Sequence, residues 1–471
     1  MWPKLFSGPL VYIAIVMAPF EGVDPSARSG IGLVIWMALW WITTPVPISV
    51  TAFVPLVVGS ITPYVAVEDV LRFYASPIVI LLIGANMITV AWASSGLDKR
   101  IALFVLSKFG TTVKYQIIIW FILSIFLTMF LPNTVVATAF VPIVLSMLRY
   151  VGIDKDQLST NQIATGFLLA IAWGTSIGGF GSPLGGAMNL VTINLIQDLV
   201  TGEEFMFFAW VVRMFPLLIL LSIPILIYLF SFPYETNVLE GSKDYYSKAY
   251  SNLSTFSQGE KWSLIIFVLA IVTVFMRPLY AELIPQLEPA YVFLVFGLAT
   301  FVAPAGKNKR LLTWEYAESR MMWGLFYLFA GGIALGNYIG LSGADELLVR
   351  ILSPAIGGGG LLTVAVFGAL ALLLSNVSSN TAACAVVIPL VIHSTQAMGI
   401  NPIPYAYIAT VAANAGLILP TSAGRAVAVG YGLNSRIMAS RGLFLSGFLY
   451  AILVLFGFLF LKYWPTFSTT G

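Results

Sequence analysis

Two short polar phrases inside apolar sequence carry residue types that could do chemistry. They are Leu131-Pro132-Asn133-Thr134, followed by Pro142, and Ser378-Ser379-Asn380-Thr381, followed by Pro389. The two Asn-Thr pairs and the two prolines are each 247 positions apart. Helix N-termini at such breaks present unpaired N–H groups and a partial positive charge, so two opposed breaks can grip an anion bearing a carboxylate at each end. Carbonyl and side-chain oxygens on the other side of the same breaks suit a small hard cation such as sodium. Residues of this kind can also do no more than hydrogen-bond one helix to the next. Duplication in register favours a site over that bland role.

A second pair of breaks lies downstream. One is Trp173-Gly174-Thr175-Ser176, running on through Gly178 to Gly186 with Pro183; the other is Leu419-Pro420-Thr421-Ser422-Ala423-Gly424. Thr175 and Thr421 are 246 apart, one residue out of the main register. Unwound segments within apolar spans are costly unless they line a cavity, so these are expected to form the other two walls. Arg425 follows directly, and an arginine at that depth must face a polar cavity or a partner. It could pair bidentately with a bound carboxylate, or cap a helix C-terminus, or snorkel to the cytoplasmic face. His393, the single histidine, reads as a solvated or packed residue rather than a proton relay. The single cysteine, Cys384, excludes disulfides and thiolate metal sites within one chain. With no buried aspartate pair and no His-Glu-x-x-His phrase, the residues do not make an intramembrane enzyme.

The medium that holds these residues follows from composition. At 59% hydrophobic and 9% charged over 471 residues, the chain has too little polar surface to cover a soluble globule. It reads as an all-α polytopic membrane protein. The first apolar stretch, Pro9 to Phe20, lacks a small-residue cleavage site and is followed by many more, so it is not expected to be a cleaved signal peptide. Apolar stretches able to cross a bilayer, or nearly so, fall near 8–20, 29–43, 46–60, 76–95, 115–150, 161–198, 207–232, 262–276, 287–304, 322–341, 361–398, 403–436 and 440–464. Reading 115–150 and 361–398 as re-entrant hairpins, broken near 132 and 378, leaves eleven crossings. With the N-terminus cytoplasmic and the C-terminus outside, this count puts sixteen Lys and Arg on the inner side and five on the outer, as the positive-inside rule requires.

Residues 29–232 and 262–464 then each hold five crossings and one hairpin. An odd number of crossings inverts the second repeat relative to the first, so the hairpins enter from opposite faces and their tips meet near the midplane. The register extends to Gly84 and Gly331, Gly96 and Gly343, and Asp98 and Asp345. Amphipathic stretches, Asp98 to Phe109 and Ala344 to Leu352, precede the hairpins and should lie along the membrane faces. The polar stretch Tyr234 to Lys261 reads as a solvated cytoplasmic connector.

The doubled hairpin phrase resembles the signature of the divalent anion–sodium symporter family of dicarboxylate, citrate and sulfate carriers, and the resemblance covers essentially the whole chain. It implies a homodimer in the cell membrane, with fixed scaffold domains and transport domains that slide as elevators. Carried over, the scaffold is 1–95 and 262–341, the connectors are 96–112 and 342–357, the linker is 233–261, and the transport domain is 113–232 with 358–464. The family's substrate triplets map to Asn133 and Thr134 and to Ser379, Asn380 and Thr381, with Thr175, Thr421 and Arg425 as further candidate contacts. Its sodium sites map to Thr128, Asn133 and Gly174 in one half and to Ser375, Ser378, Asn380 and Pro420 in the other. The resemblance implies no organic cofactor and no nucleic acid; sodium ions, a dicarboxylate and lipid are the expected partners.

Two departures bear on mechanism. Pro132 stands where the family has serine, removing a hydroxyl and a backbone donor, and the usual Gly-Thr-Pro-Pro-Asn phrase after each hairpin is replaced. A fixed cation at Arg425 could supply the positive charge that sodium otherwise brings, so the sequence leans to exchange of one dicarboxylate (malate, succinate or 2-oxoglutarate) for another, with sodium symport as the alternative.

Overall fold

In the computed structural model, residues 2–19, 22–108, 110–307 and 309–470 are described. Phe20 and Phe109, which end two of the stretches read above, lie outside them. Among the described residues the regular structure is helical, apart from a short antiparallel ribbon of Pro304–Gly306 and Lys309–Arg310 and an isolated antiparallel bridge between Thr112 and Val238. Among the described residues, six helices are long and apolar enough to cross a membrane by length and composition. These are Val67–Ser95, Asn133–Tyr150, Phe207–Ser231, Gln258–Phe275, Trp323–Leu341 and Ser435–Tyr463, and shorter apolar helices of 10–17 residues accompany them.

The two polar phrases stand at the turns of two helical hairpins. The first pairs Val113–Thr128 with Asn133–Tyr150, the second Leu361–Val377 with Asn380–Ala397. The second arms have 18 residues each and begin 247 residues apart. The short helices before the hairpins, Leu97–Ser107 and Ala344–Ile356, keep the same spacing. Each is entered through a glycine in the left-handed region, Gly96 at φ 77° and Gly343 at φ 72°, where any other residue would be strained. Asp98 and Asp345 occupy the first turns, where a negative charge complements the helix dipole.

Three stretches depart from the sequence reading. The one near 46–60 is two pieces, Ile48–Thr51 and Val54–Ile61, because Pro55 has no N–H to continue the ladder. In the gap between the two pieces the Ala52 carbonyl accepts the Tyr74 hydroxyl. The stretch near 161–198 is helical from Gln162 through Gly178 and resumes at Ala187–Ile196, so the break is 179–186 and Gly174 and Thr175 lie inside a helix. Their polarity did not unwind it, since the Thr175 hydroxyl donates to Ile171 O at 2.9 Å and the Ser176 hydroxyl to Ala172 O at 3.0 Å. Near 420 the helix does break, between Ile403–Asn414 and Ala423–Gly430.

The third departure is the linker, which is docked rather than solvated. Its helix Ser242–Ser251 lies over the base of the first hairpin, where Gln116 Nε2 donates to Ser242 Oγ at 2.7 Å and Trp120 Nε1 to the buried Tyr246 hydroxyl at 3.2 Å. Backbone bonds from Val113 N to Asn237 O (3.0 Å) and from Leu239 N to Thr111 O (2.8 Å) pin the strap before it. Arg100 closes the far end on Glu260 at 2.5 Å and on the Ser254 carbonyl at 2.8 Å.

Candidate functional site

The first tip begins with the C-terminus of Val113–Thr128, where Leu131 N donates back to Leu127 O at 2.9 Å. Pro132, at φ −55° and ψ 140°, then starts the next helix, its carbonyl accepting from Val135 N at 2.9 Å and Val136 N at 3.2 Å. At the second tip Ser379 takes the equivalent place, 247 residues on, and its Oγ also accepts from Ala382 N at 3.1 Å. The proline presets the backbone for helix entry, and the serine adds a side-chain cap.

The tips meet at a cavity of ≈ 260 Å³. Its polar wall is Asn133 and Thr134 from one tip, Ser379, Asn380 and Thr381 from the other, and Thr421 and Ser422 from the break near 420. Facing them are apolar side chains, among them Leu82, Met322, Leu325 and Leu328. Four helices begin at this cavity: Asn133–Tyr150, Ala187–Ile196, Asn380–Ala397 and Ala423–Gly430. At about half an elementary charge per N-terminus, they bring roughly two positive charges to one space of low dielectric. Among the described residues no cluster of His, Cys, Asp or Glu could hold a metal ion, so a cation here would be held by neutral oxygens.

Arg425 lies behind the polar wall, fully buried. Its Nε donates to Ser422 Oγ at 2.7 Å, and Nη2 reaches Asn380 Oδ1 and Thr421 Oγ1, each at 3.4 Å. Three residues of the lining are thus tied to one guanidinium, and the side chain does not snorkel. Nη1 has no hydrogen-bond partner among the described residues, and no carboxylate there forms an ion pair with this arginine. Asn380 Nδ2 turns the other way, toward Asn414 Oδ1 at 3.4 Å. The second tip is therefore wired into the fold through charge-assisted contacts.

The remaining candidates divide between lining and support. Thr175 is buried and does not line the cavity; its hydroxyl fills the space a Cβ on Gly424 would need, which seats the start of Ala423–Gly430 against Gln162–Gly178. Gly174 lets the first arm approach, since a Cβ there would come within 2.8 Å of Phe121 O and Ser124 Cβ. Thr128 is buried beneath the first tip, and its Oγ1 has no partner among the described residues; the same holds for Ser124 Oγ and Asn189 Oδ1. The carbonyls of Thr128 and Gly179 come within 2.5 and 2.7 Å of the Cβ position of Gly185, so oxygens crowd this side of the tip. Around the second tip the oxygens are used. Ser375 Oγ donates to Leu372 O at 2.9 Å, Ser378 Oγ donates to Leu374 O at 2.8 Å, and the Ser375 carbonyl accepts from Thr421 at 2.9 Å. Pro420 lies half-buried in the loop laid against Ser375.

Sequence reasoning placed Ser422 and the segment leading to Ala187 in wall-forming breaks without singling them out as contacts, and missed Asn414 and the whole apolar wall. Ser422 is legible as part of a polar break, whereas Leu82 and Leu325 look like any other membrane leucines.

Comparison with known proteins decides the family. The model of the sodium:sulfate symporter transmembrane region matches residues 1–468. The chain belongs to this family. The resemblance to divalent anion–sodium symporters is thereby shown, and the chain is a membrane transporter rather than an enzyme. It is 27% identical over 466 residues to the sodium-dependent dicarboxylate transporter SdcS of Staphylococcus saprophyticus, covering 96% of this chain and 89% of that protein. The SdcS of Staphylococcus aureus strain bovine RF122 / ET3-1 is also 27% identical, over 459 residues, covering 93% and 87%. The fold is similar to that of Neisseria gonorrhoeae MtrF, described as illuminating a class of antimetabolite efflux pumps. The TM-score is 0.57 and the identity 13%, over 95% of this chain and 96% of that one.

Proposed function

We propose that this protein carries four- or five-carbon dicarboxylates, such as malate, succinate or 2-oxoglutarate, across the cell membrane together with sodium. The observation that carries the reading is the convergence of four helix N-termini and seven uncharged polar residues on one cavity. About two positive charges of helix dipole match a dianion, and polar groups from two separate tips suit one with a carboxylate at each end. The names of the SdcS relatives support both the substrate class and sodium dependence. The partnerless Thr128 hydroxyl below the first tip supports a cation there, beside Asn133. In this reading the chain is a homodimer of eleven crossings and two inverted hairpins per protomer, with its N-terminus cytoplasmic and its C-terminus outside. The scaffold, 1–95 with 262–341, holds still while the hairpins and the helices after them slide as an elevator.

Exchange is the second reading, favoured by the buried Arg425 charge that no carboxylate balances among the described residues. Against it, the guanidinium is engaged by Ser422, Asn380 and Thr421 behind the wall. Proteoliposomes loaded with buffer alone separate the two. Labelled succinate should enter on an inward sodium gradient, whereas uptake that ignores sodium and requires internal dicarboxylate would establish exchange.

A further inference from the structure

Away from the cavity, helices Phe207–Ser231 and Ser435–Tyr463 run side by side, and a groove of ≈ 610 Å³ lies between them. Leu220, Ile223 and Ile227 form one side, and Phe448, Ile452 and Phe456 the other. Its rims are exposed, Ile227 by 61% and Phe444 by 72%, so within a bilayer it faces lipid. Pro224 lies in the wall, where it removes one N–H from the helix ladder and prevents ideal packing of the turn. The polar lining residues are Tyr228 and Ser231, toward one end.

That end is cationic. The Arg441 guanidinium stacks 4.1 Å above the Phe232 ring, next to Ser231, and Arg441 is one turn before the lining residues Phe444 and Leu445. Lys114 stands 5.2 Å over Phe230 on the neighbouring hairpin arm. Among the described residues neither cation forms an ion pair, and the adjacent Glu235 is taken by Asn161 and the Gln162 N–H. An apolar trough with an unneutralised guanidinium at one end has the polarity of a single anionic lipid. A guanidinium binds phosphate through paired N–H donors, and each basic side chain near an anionic lipid surface contributes about 1 kcal/mol.

We propose that this groove binds one anionic glycerophospholipid, with an acyl chain along the trough and its phosphate at Arg441. The site is separate from the transport cavity, and its test does not depend on how the cavity is read. The purified protein is incubated with equal amounts of phosphatidylglycerol and phosphatidylcholine of identical acyl chains, and retained lipid is counted by native mass spectrometry. Phosphatidylglycerol should be enriched on the wild type, and Arg441→Gln should lower that enrichment about fivefold, the factor that 1 kcal/mol represents. Ile227→Trp, which fills the trough from an exposed position, should reduce retention of both lipids while an unfolding midpoint near the wild-type value reports that the fold is intact. Equal retention of the two lipids by the wild type, or an unchanged preference in Arg441→Gln, would overturn the proposal. So would an Ile227→Trp protein that loses its dimer and keeps its lipid, which would assign the groove to a second copy of the chain.

Discussion

At the first hairpin tip the Asn133 and Thr134 side chains line the cavity without a hydrogen bond to the described protein, and Thr128 below them keeps a partnerless hydroxyl. At the second tip, Ser379 caps its own helix, Asn380 is held between Asn414 and Arg425, and Ser375 accepts from Thr421. One sequence plan has thus been finished in two ways. The first tip holds open valences that an incoming ion can satisfy, and the second is braced from behind by a buried cation. A transporter that must release what it binds gains from this division. In the proposed reading, the braced tip keeps the cavity's shape, and the open tip takes up the ligand at little cost in rearrangement.

The largest expected effect comes from removing the brace. Arg425→Ala would leave Asn380, Thr421 and Ser422 without their donor and open a void in a fully buried place. Losing the 2.7 Å bond to Ser422 alone, a hydrogen bond to a charged group worth about 1.5–3 kcal/mol, should reduce succinate uptake about 10- to 100-fold. Arg425→Lys keeps the charge but not the fork, so it should recover part of that loss. Uptake by Arg425→Ala at the wild-type rate would remove the distinction between the tips.

Next in size is Asn133 at the open tip. With no protein partner to disturb, Asn133→Ala should leave the midpoint of thermal unfolding near the wild-type value while raising the half-saturating succinate or sodium concentration about tenfold, the worth of one or two ligand hydrogen bonds. Asn380→Ala should lower the unfolding midpoint as well, because Arg425 and Asn414 both lose a partner. Equal behaviour of the two variants in unfolding would break the comparison.

How legible this site was differs between its parts, for physical reasons. The hairpins, the preceding glycine-started helices and the break near 420 could be read because each is set locally, by Asn-Thr pairs, by Gly96 and Gly343, and by Pro420 in apolar sequence. The helix through Gly174 could not, because hydroxyls that look like helix breakers can bond back to the preceding turn, as those of Thr175 and Ser176 do. The docked linker was hidden too: its polar composition reads as solvated, and only tertiary partners such as Gln116 and Trp120 reveal what Ser242 and Tyr246 are for. Arg425 was visible as a charge out of place, but its direction depends on Asn380, 45 residues away, which no local pattern encodes.

A smaller effect is expected at Thr128. Its buried hydroxyl without a partner costs about 1–3 kcal/mol, so Thr128→Val should raise the unfolding midpoint in sodium-free buffer. If the hydroxyl serves a cation, the same variant should lose much of the further stabilisation that sodium gives the wild type, since a ligand stabilises only the state that binds it. A Thr128→Val protein stabilised by sodium as strongly as the wild type would place the cation elsewhere.

The smallest effect is expected from making the two tips alike. Pro132→Ser restores the residue found at Ser379, and its hydroxyl could accept the Val135 N–H as Ser379 accepts that of Ala382. A side-chain cap contributes about 1 kcal/mol. Replacing the proline gives back about 0.4–1 kcal/mol of chain entropy to the unfolded state, so the two changes nearly cancel in stability. What should change is ion handling. The new hydroxyl lies one residue before Asn133, on the tip with open valences, and adds an oxygen where oxygens already crowd. The half-saturating sodium concentration should therefore fall severalfold, by about the 0.5–1.5 kcal/mol of one net hydrogen bond, with the unfolding midpoint nearly unmoved. If the midpoint rises and sodium dependence stays the same, the serine has been spent on capping alone, and the missing hydroxyl at Pro132 has no part in coupling.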